Sequence, residues 1–126
     1  MIVKRVVLFV YIALILLLVV LPLNDTASSF LTNNYVVRIR MDYLLHVFLF
    51  LPFLLFFKLA YPVSKAIWLV LMGIFFAGFC EGIQYLLPYR SFNINDLIAN
   101  IAGVIFGLIL IIPAVLKKIF RSYPQI

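Results

Sequence analysis

The apolar positions of the chain fall into four blocks, at about residues 4–21, 41–60, 65–87 and 96–116, divided by short polar patches. Each block is close to the twenty residues that an α-helix needs to cross about 30 Å of hydrocarbon. The pattern therefore predicts four membrane-spanning helices. Pro22 stops the first. Pro52 lies inside the second and, lacking an N–H for the Phe48 carbonyl, should bend it. Lys58, Tyr61, Pro62, Ser64 and Lys65 make a tight polar turn in which Ser64 is a candidate N-cap. Pro88 ends the third helix, residues 89–94 form a short loop, and the fourth helix starts near Asn95 or Asp96. Pro113 should kink or loosen the last turns of that helix. Residues 23–40 are the longest stretch without a helical pattern. There Asn24-Asp25-Thr26 and Asn33-Asn34 read as turns, and residues 35–40 alternate weakly, as a short extended piece or an interfacial segment would.

Inside the blocks polar side chains are few, and they keep helical register. Asp42 and His46 are four apart and point from one face near the start of the second helix. On the third, Gly73, Ala77, Glu81 and Gln84 follow at spacings of four, four and three, while Gly78 and Gly82 form a small-residue pair on a neighbouring face. On the fourth, Asp96, Asn100, Gly103 and Gly107 follow at four, three and four. Small residues let helix backbones approach closely, and here they share their ridges with the polar groups. The first helix offers only the Tyr11 hydroxyl and suits lipid contact or packing. The Phe-rich run over residues 47–57 reads as core or lipid contact in the same way.

Composition excludes a soluble protein. Of 126 residues 67% are hydrophobic and 11% charged, more apolar surface than a domain of this size can bury in water. The net charge of +6 would suggest nucleic acid in a soluble protein; here it speaks instead to orientation and to anionic headgroups. Lys4, Arg5, Lys58, Lys65, Lys117, Lys118 and Arg121, seven of the ten Lys and Arg residues, fall on one side of the predicted helices. Arg38, Arg40 and Arg90 fall on the other, with all four acidic residues. The positive-inside rule then places both termini in the cytoplasm and the polar cluster at the outer face. Residues 1–5 resemble the basic start of a signal peptide, but the apolar run is too long and lacks a small-residue cleavage site, so it reads as a retained helix. Cys80 is the only cysteine, which leaves no intramolecular disulfide or cysteine zinc site and suggests a packing role. The fold expected is all-α: a single domain over residues 1–126, an integral membrane four-helix bundle with both ends inside, short loops and a longer outer loop between helices one and two.

At that outer end Asp42, His46, Glu81, Gln84, Asp96 and Asn100 come to one membrane depth, with Arg90 and Arg38 or Arg40 above them. Ionisable groups near lipid each cost several kcal/mol unless paired or wetted. Three chemistries fit. In one, the arginines hold a phosphate or carboxylate of a lipid headgroup, and His46, fixed by Asp42, or Glu81 acts as general acid or base. In another, His46 with carboxylates binds a divalent ion, although the spacing matches no specific metal motif. In the third the cluster is structural: Arg90 pairs with Glu81 or Asp96, Asp96 and Asp42 cap their helices, and Gln84 and Asn100 bond across helices.

The pattern Asp42-x-x-x-His46, then Glu81-x-x-Gln84-x-x-x-Pro88-x-Arg90, then Asp96-x-x-x-Asn100-x-x-Gly103 and Gly107 resembles the VanZ-like family of small bacterial membrane proteins. The likeness covers helices two to four; the first helix matches only in kind. Carried over position by position, the family's signature polar residues are Asp42, His46, Glu81, Gln84, Arg90, Asp96 and Asn100. Many members have a lysine directly after the helix-two aspartate, where this chain has Tyr43, so Arg38 or Arg40 would have to take over any anion contact made there. The name-giving member is linked to low-level teicoplanin resistance. The resemblance thus implies cell-envelope or lipid-related work in the bacterial plasma (inner) membrane. Together with the residues it assigns catalytic roles to His46, Glu81, Asp42 and Asp96, and substrate binding to Arg90, Gln84, Asn100, Arg38 and Arg40. The expected partner is an anionic phospholipid or a polyprenyl-phosphate-linked molecule, with no nucleic acid and no cofactor beyond a divalent metal as an open alternative.

Overall fold

The computed structural model describes residues 1–36 and 39–122, side chains excepted at 35 and 114–122. The elements run in the order α1 (Ile2–Val20), α2 (Asp25–Asn33), β1 (Tyr35–Val36), β2 (Ile39–Arg40), α3 (Met41–Phe50), α4 (Phe53–Ala60), α5 (Ala66–Leu86) and α6 (Ile94–Ser122). Among the described residues four stretches are long and apolar enough to cross a membrane: Ile2–Val20, Met41–Ala60, Ala66–Leu86 and Ile94–Pro113. The second of these is α3 and α4 together. The break between them sits at Leu51 and Pro52, where the missing proline N–H leaves the Phe48 carbonyl without its helical donor. Tyr11 of α1 reaches this break and donates its hydroxyl to the Leu49 carbonyl at 2.5 Å.

Elsewhere the structure departs from the expected boundaries. The stretch between the first two spans is not a plain loop. Asn24 caps α2 by accepting from the Ala27 N–H at 2.8 Å, and β1 and β2 form an antiparallel pair with Tyr35 opposite Arg40 and Val36 opposite Ile39. The turn-like Asn24-Asp25-Thr26 is thus a helix start, since an asparagine that closes a turn can equally cap a helix. Ser64 is not the cap of α5. That position falls to Lys65 without a side-chain bond, and the Ser64 carbonyl instead accepts from Lys58 Nζ at 2.5 Å. The last helix begins at Ile94 and passes through Pro113 to Ser122, beyond its expected end.

Packing is organised around α6. Both α3 and α4 lie against it, α5 packs on α6 and α4, and α1 packs on α4 and α5. Ile15, Phe50, Phe53, Leu54, Leu69 and Val104 are fully buried between them. Gly103 and Gly107 explain how closely α6 approaches the broken span. A Cβ on Gly107 would lie 2.5 Å from the Leu51 carbonyl oxygen, and one on Gly103 would overlap the Val47 carbonyl oxygen and stand 3.0 Å from Phe50 Cβ. On α5 the ridge of Gly73, Ala77, Glu81 and Gln84 is buried, whereas Gly78 and Gly82 face open space. Cys80 is buried as a free thiol.

Two contacts orient the ends. The Arg5 guanidinium lies 5.3 Å from the Tyr61 ring centroid, which puts the N-terminus beside the 61–65 turn. At the other end Asn95 Nδ2 donates to the Tyr43 hydroxyl at 3.3 Å, joining the starts of α3 and α6. Gly103→Ala and Gly107→Ala should therefore each lower stability by about 1–3 kcal/mol through overpacking, read as a lower thermal midpoint in detergent. Gly78→Ala and Gly82→Ala, with open space at the Cβ, should be neutral or stabilising by up to about 1 kcal/mol from helix propensity.

Candidate functional site

The starts of α3 and α6 and the end of α5 converge where Asp42, His46, Glu81, Asp96 and Asn100 meet. Neither aspartate is the N-cap of its helix. Arg40 takes that position for α3, and Asp42, two residues on, accepts from the Tyr43 N–H at 2.9 Å. For α6 the cap is Asn93, whose Oδ1 accepts from the Asn95 N–H at 3.1 Å. Asp96 stands in the first turn and accepts from Asn93 Nδ2 at 3.0 Å. Both carboxylates gain from the positive end of a helix while keeping oxygens for other partners.

The centre is a chain of side chains across α3, α5 and α6. His46 Nδ1 lies 2.9 Å from Asn100 Oδ1, and Asn100 Nδ2 donates to Glu81 Oε1 at 3.2 Å. On the opposite side of the ring, His46 Nε2 faces Asp96 Oδ2 at 3.7 Å. Glu81 and Asn100 are each only 1% exposed, and Glu81 Oε2 is buried with no hydrogen-bond partner among the described residues. His46 and Asp96 are more open, with side chains 22% and 15% exposed. A gradient results: sealed at Glu81, open at the His46–Asp96 pair.

Beside that open end, Arg40 pairs with Asp42 through Nε and Nη2, and its guanidinium stacks 4.6 Å from the Tyr43 ring centroid. The hydrogen bond to Asp42 raises the Arg40 pKa further, so the group stays charged. Arg40 and Asp42 lie close enough to Asp96 for their charges to act on it. Tyr43 here supports Arg40 in place of a second cation.

Gln84 and Arg90 belong to a different group. The last carbonyls of α1 have no helical donors, and Pro22 cannot supply the N–H that the Leu18 carbonyl would otherwise receive. Arg90 Nη2 donates to the carbonyls of Leu18 at 3.3 Å and Leu21 at 2.7 Å, Gln84 Nε2 to Val19 at 3.5 Å, and the Tyr89 hydroxyl to Val20 at 2.8 Å. These three residues cap α1 from the end of α5. Arg38 lies outside the described residues. Among the described residues no group of three or more His, Cys, Asp or Glu side chains is placed to hold a metal ion.

Sequence reasoning passed over Asn93, Tyr89 and the tyrosines Tyr11 and Tyr43 as polar partners. Asn93 had a signal, since Asn93-x-x-Asp96 has the spacing of a capping box. The tyrosines bond to main chain or stack on a neighbour, which leaves no spacing to read. Arg90→Ala should cost about 1.5–3 kcal/mol, the net scale of hydrogen bonds made by a charged group, read as a lower unfolding midpoint. Arg90→Lys, with one ammonium for two carbonyls, should recover only part of it.

The VanZ/LLP1 family profile matches residues 8–118 of the chain. No curated protein and no solved structure matches it. The match covers every residue of the His46 cluster and of the α1 cap, and the chain, a multi-pass membrane protein, belongs to the VanZ/LLP1 family.

Proposed function

We propose that the protein is a cell-envelope membrane protein of the bacterial plasma membrane, a bundle of four spanning helices with both termini in the cytoplasm. Its half-open cluster of Arg40, Asp42, His46 and Asp96 would recognise, and can chemically modify, the anionic phosphate group of a lipid or a lipid-linked molecule. The orientation rests on the seven-to-three division of Lys and Arg between the two ends. The link to glycopeptide susceptibility is an extension from the family and carries no residue-level argument.

The observation that supports a site is the exposure gradient. A histidine and a carboxylate 3.7 Å apart and partly open can share a proton with a bound group. Arg40 stands next to them, 29% exposed, with Nη1 outside the pair that Nε and Nη2 make with Asp42. A guanidinium fork matches two oxygens of a phosphate at once, and its five donors exceed what one carboxylate takes. His46 and Asp96 would then meet the same group from α3 and α6. In this reading Gln84 and Arg90 serve the site indirectly, by holding α1 against the bundle.

A second reading has its own observation. The Glu81–Asn100–His46 bonds tie three helices together, as polar side chains do where lipid offers no partner. On that view the cluster is internal glue, and the protein binds lipid without changing it or serves as an interaction partner.

Native mass spectrometry of the purified protein, offered anionic phospholipids and polyprenyl phosphates, separates the two. The wild type should retain an anionic lipid. Arg40→Lys, which keeps the charge but loses the fork, should bind about tenfold more weakly, the equivalent of about 1.4 kcal/mol. His46→Gln should leave binding in place and abolish any change in the headgroup found by lipid analysis. Equal lipid retention by all three proteins, with no altered headgroup, would leave only the glue.

A further inference from the structure

His46 has two ring nitrogens, and which one carries the permanent proton follows from what each faces. We propose that Glu81 and Asn100 act as positioning residues that lock His46 in the Nδ1–H form, so that Nε2, facing Asp96, is the nitrogen that exchanges protons with a bound group.

The donors and acceptors leave little freedom. Glu81 Oε1 accepts from Asn100 Nδ2 at 3.2 Å, and an acceptor there turns the amide so that its carbonyl oxygen faces His46. A carbonyl oxygen cannot donate. The 2.9 Å contact between Asn100 Oδ1 and His46 Nδ1 is a hydrogen bond only if Nδ1 carries the hydrogen. The amide thus transmits the chemistry of the buried carboxyl group to the ring, one helix to the next. Asn100 itself is 1% exposed and hydrogen-bonded on both sides.

The consequence falls on the far side of the ring. With Nδ1 committed, Nε2 is the nitrogen left to take up or release a proton, and it faces Asp96 Oδ2. Their 3.7 Å separation is longer than a direct hydrogen bond and leaves Nε2 open to an oxygen that enters between or beside them. Asn93 on Asp96, and Arg40 with Asp42 nearby, are the remaining polar groups around the pair. What meets Nε2 rests on the function proposed above; the state of the ring does not.

His46 is the only histidine in the chain, so one labelled residue type reports one site. Protein labelled with ¹⁵N-histidine in lipid nanodiscs should show a protonated, hydrogen-bonded Nδ1. Asn100→Leu removes the carbonyl acceptor, and the two nitrogens should exchange much of their shift difference as the Nε2–H form appears. Asn100→Asp, whose carboxylate also accepts from Nδ1–H, should restore the original pattern. Glu81→Met keeps Asn100 but releases its amide, and should give a mixture of the two forms; because it replaces a buried carboxyl group by an apolar side chain of similar volume, it serves where Asn100→Leu does not fold. A bare Nδ1 in the wild type, or ring shifts unchanged in Asn100→Leu or Glu81→Met, would overturn the lock. A merely structural role would lower the melting point of these variants without moving the ring signals. The same samples tested for lipid retention keep the two ideas apart. Retention lost everywhere with the Nδ1–H pattern intact would count against the proposed function alone, and a bare Nδ1 with lipid retained would count against the lock alone.

Discussion

The separation between the α6 backbone and the carbonyl edge of the broken second span controls the rest of the molecule. Gly103 and Gly107 have no Cβ, and the Val47 and Leu51 carbonyls fill the space that one would need. Asn100 stands one turn before Gly103, and His46 one residue before Val47. A backbone held at that distance brings Asn100 and His46 within 2.9 Å; a helix pushed outward by side chains would part them. Close packing is usually credited with stability. Here it also sets the reach of a hydrogen bond between two short side chains, and through Asn100 the reach to Glu81 on a third helix.

The polar residues divide their labour along the same end of the protein. One group lies across α3, α5 and α6 and becomes more open from Glu81 towards Asp96. The other lies between the end of α5 and the end of α1 and deals with main-chain carbonyls alone. Both answer one constraint, that a donor or acceptor in hydrocarbon has no water to fall back on. They answer it differently. Gln84, Tyr89 and Arg90 satisfy acceptors that α1 and Pro22 leave open, although Arg90 Nε itself is buried without a partner among the described residues. The Glu81–Asn100–His46–Asp96 series ends in a pair at 3.7 Å that is not closed.

How much of this was legible in the residues depends on what kind of signal each carried. The four spans stood out because twenty apolar residues in succession admit few other structures, and the buried ridges of α5 and α6 because small and polar residues kept a helical period. The break at Pro52 followed from one missing N–H. The site was legible as a set of polar residues at one depth but not as two groups. Arg90 carries a charge, and charge in a sequence suggests a charged partner, whereas its actual partners are carbonyls that no side-chain pattern displays. Helix α2 was hidden for a similar reason: Asn24, Asp25, Ser28 and Asn33 serve turns as well as they serve a short polar helix, and only the tertiary setting chooses. The roles of Asp42 and Asp96 depended on a shift of one or two residues in where a helix begins.

The cap on α1 recognises backbone, and that has a consequence for how the first helix can vary. Leu18, Val19, Val20 and Leu21 contribute only their carbonyl oxygens to Arg90, Gln84 and Tyr89. Exchange of one aliphatic side chain for another at these positions leaves every acceptor where it was. These bonds are therefore indifferent to which side chains stand at the four positions and sensitive to where the helix ends. Insertion or removal of a single residue before Pro22 would turn the carbonyls by about 100° and undo all the bonds together. The end of the first span is registered by its length, while Tyr11, Ile15 and Val19 pack its body by their side chains.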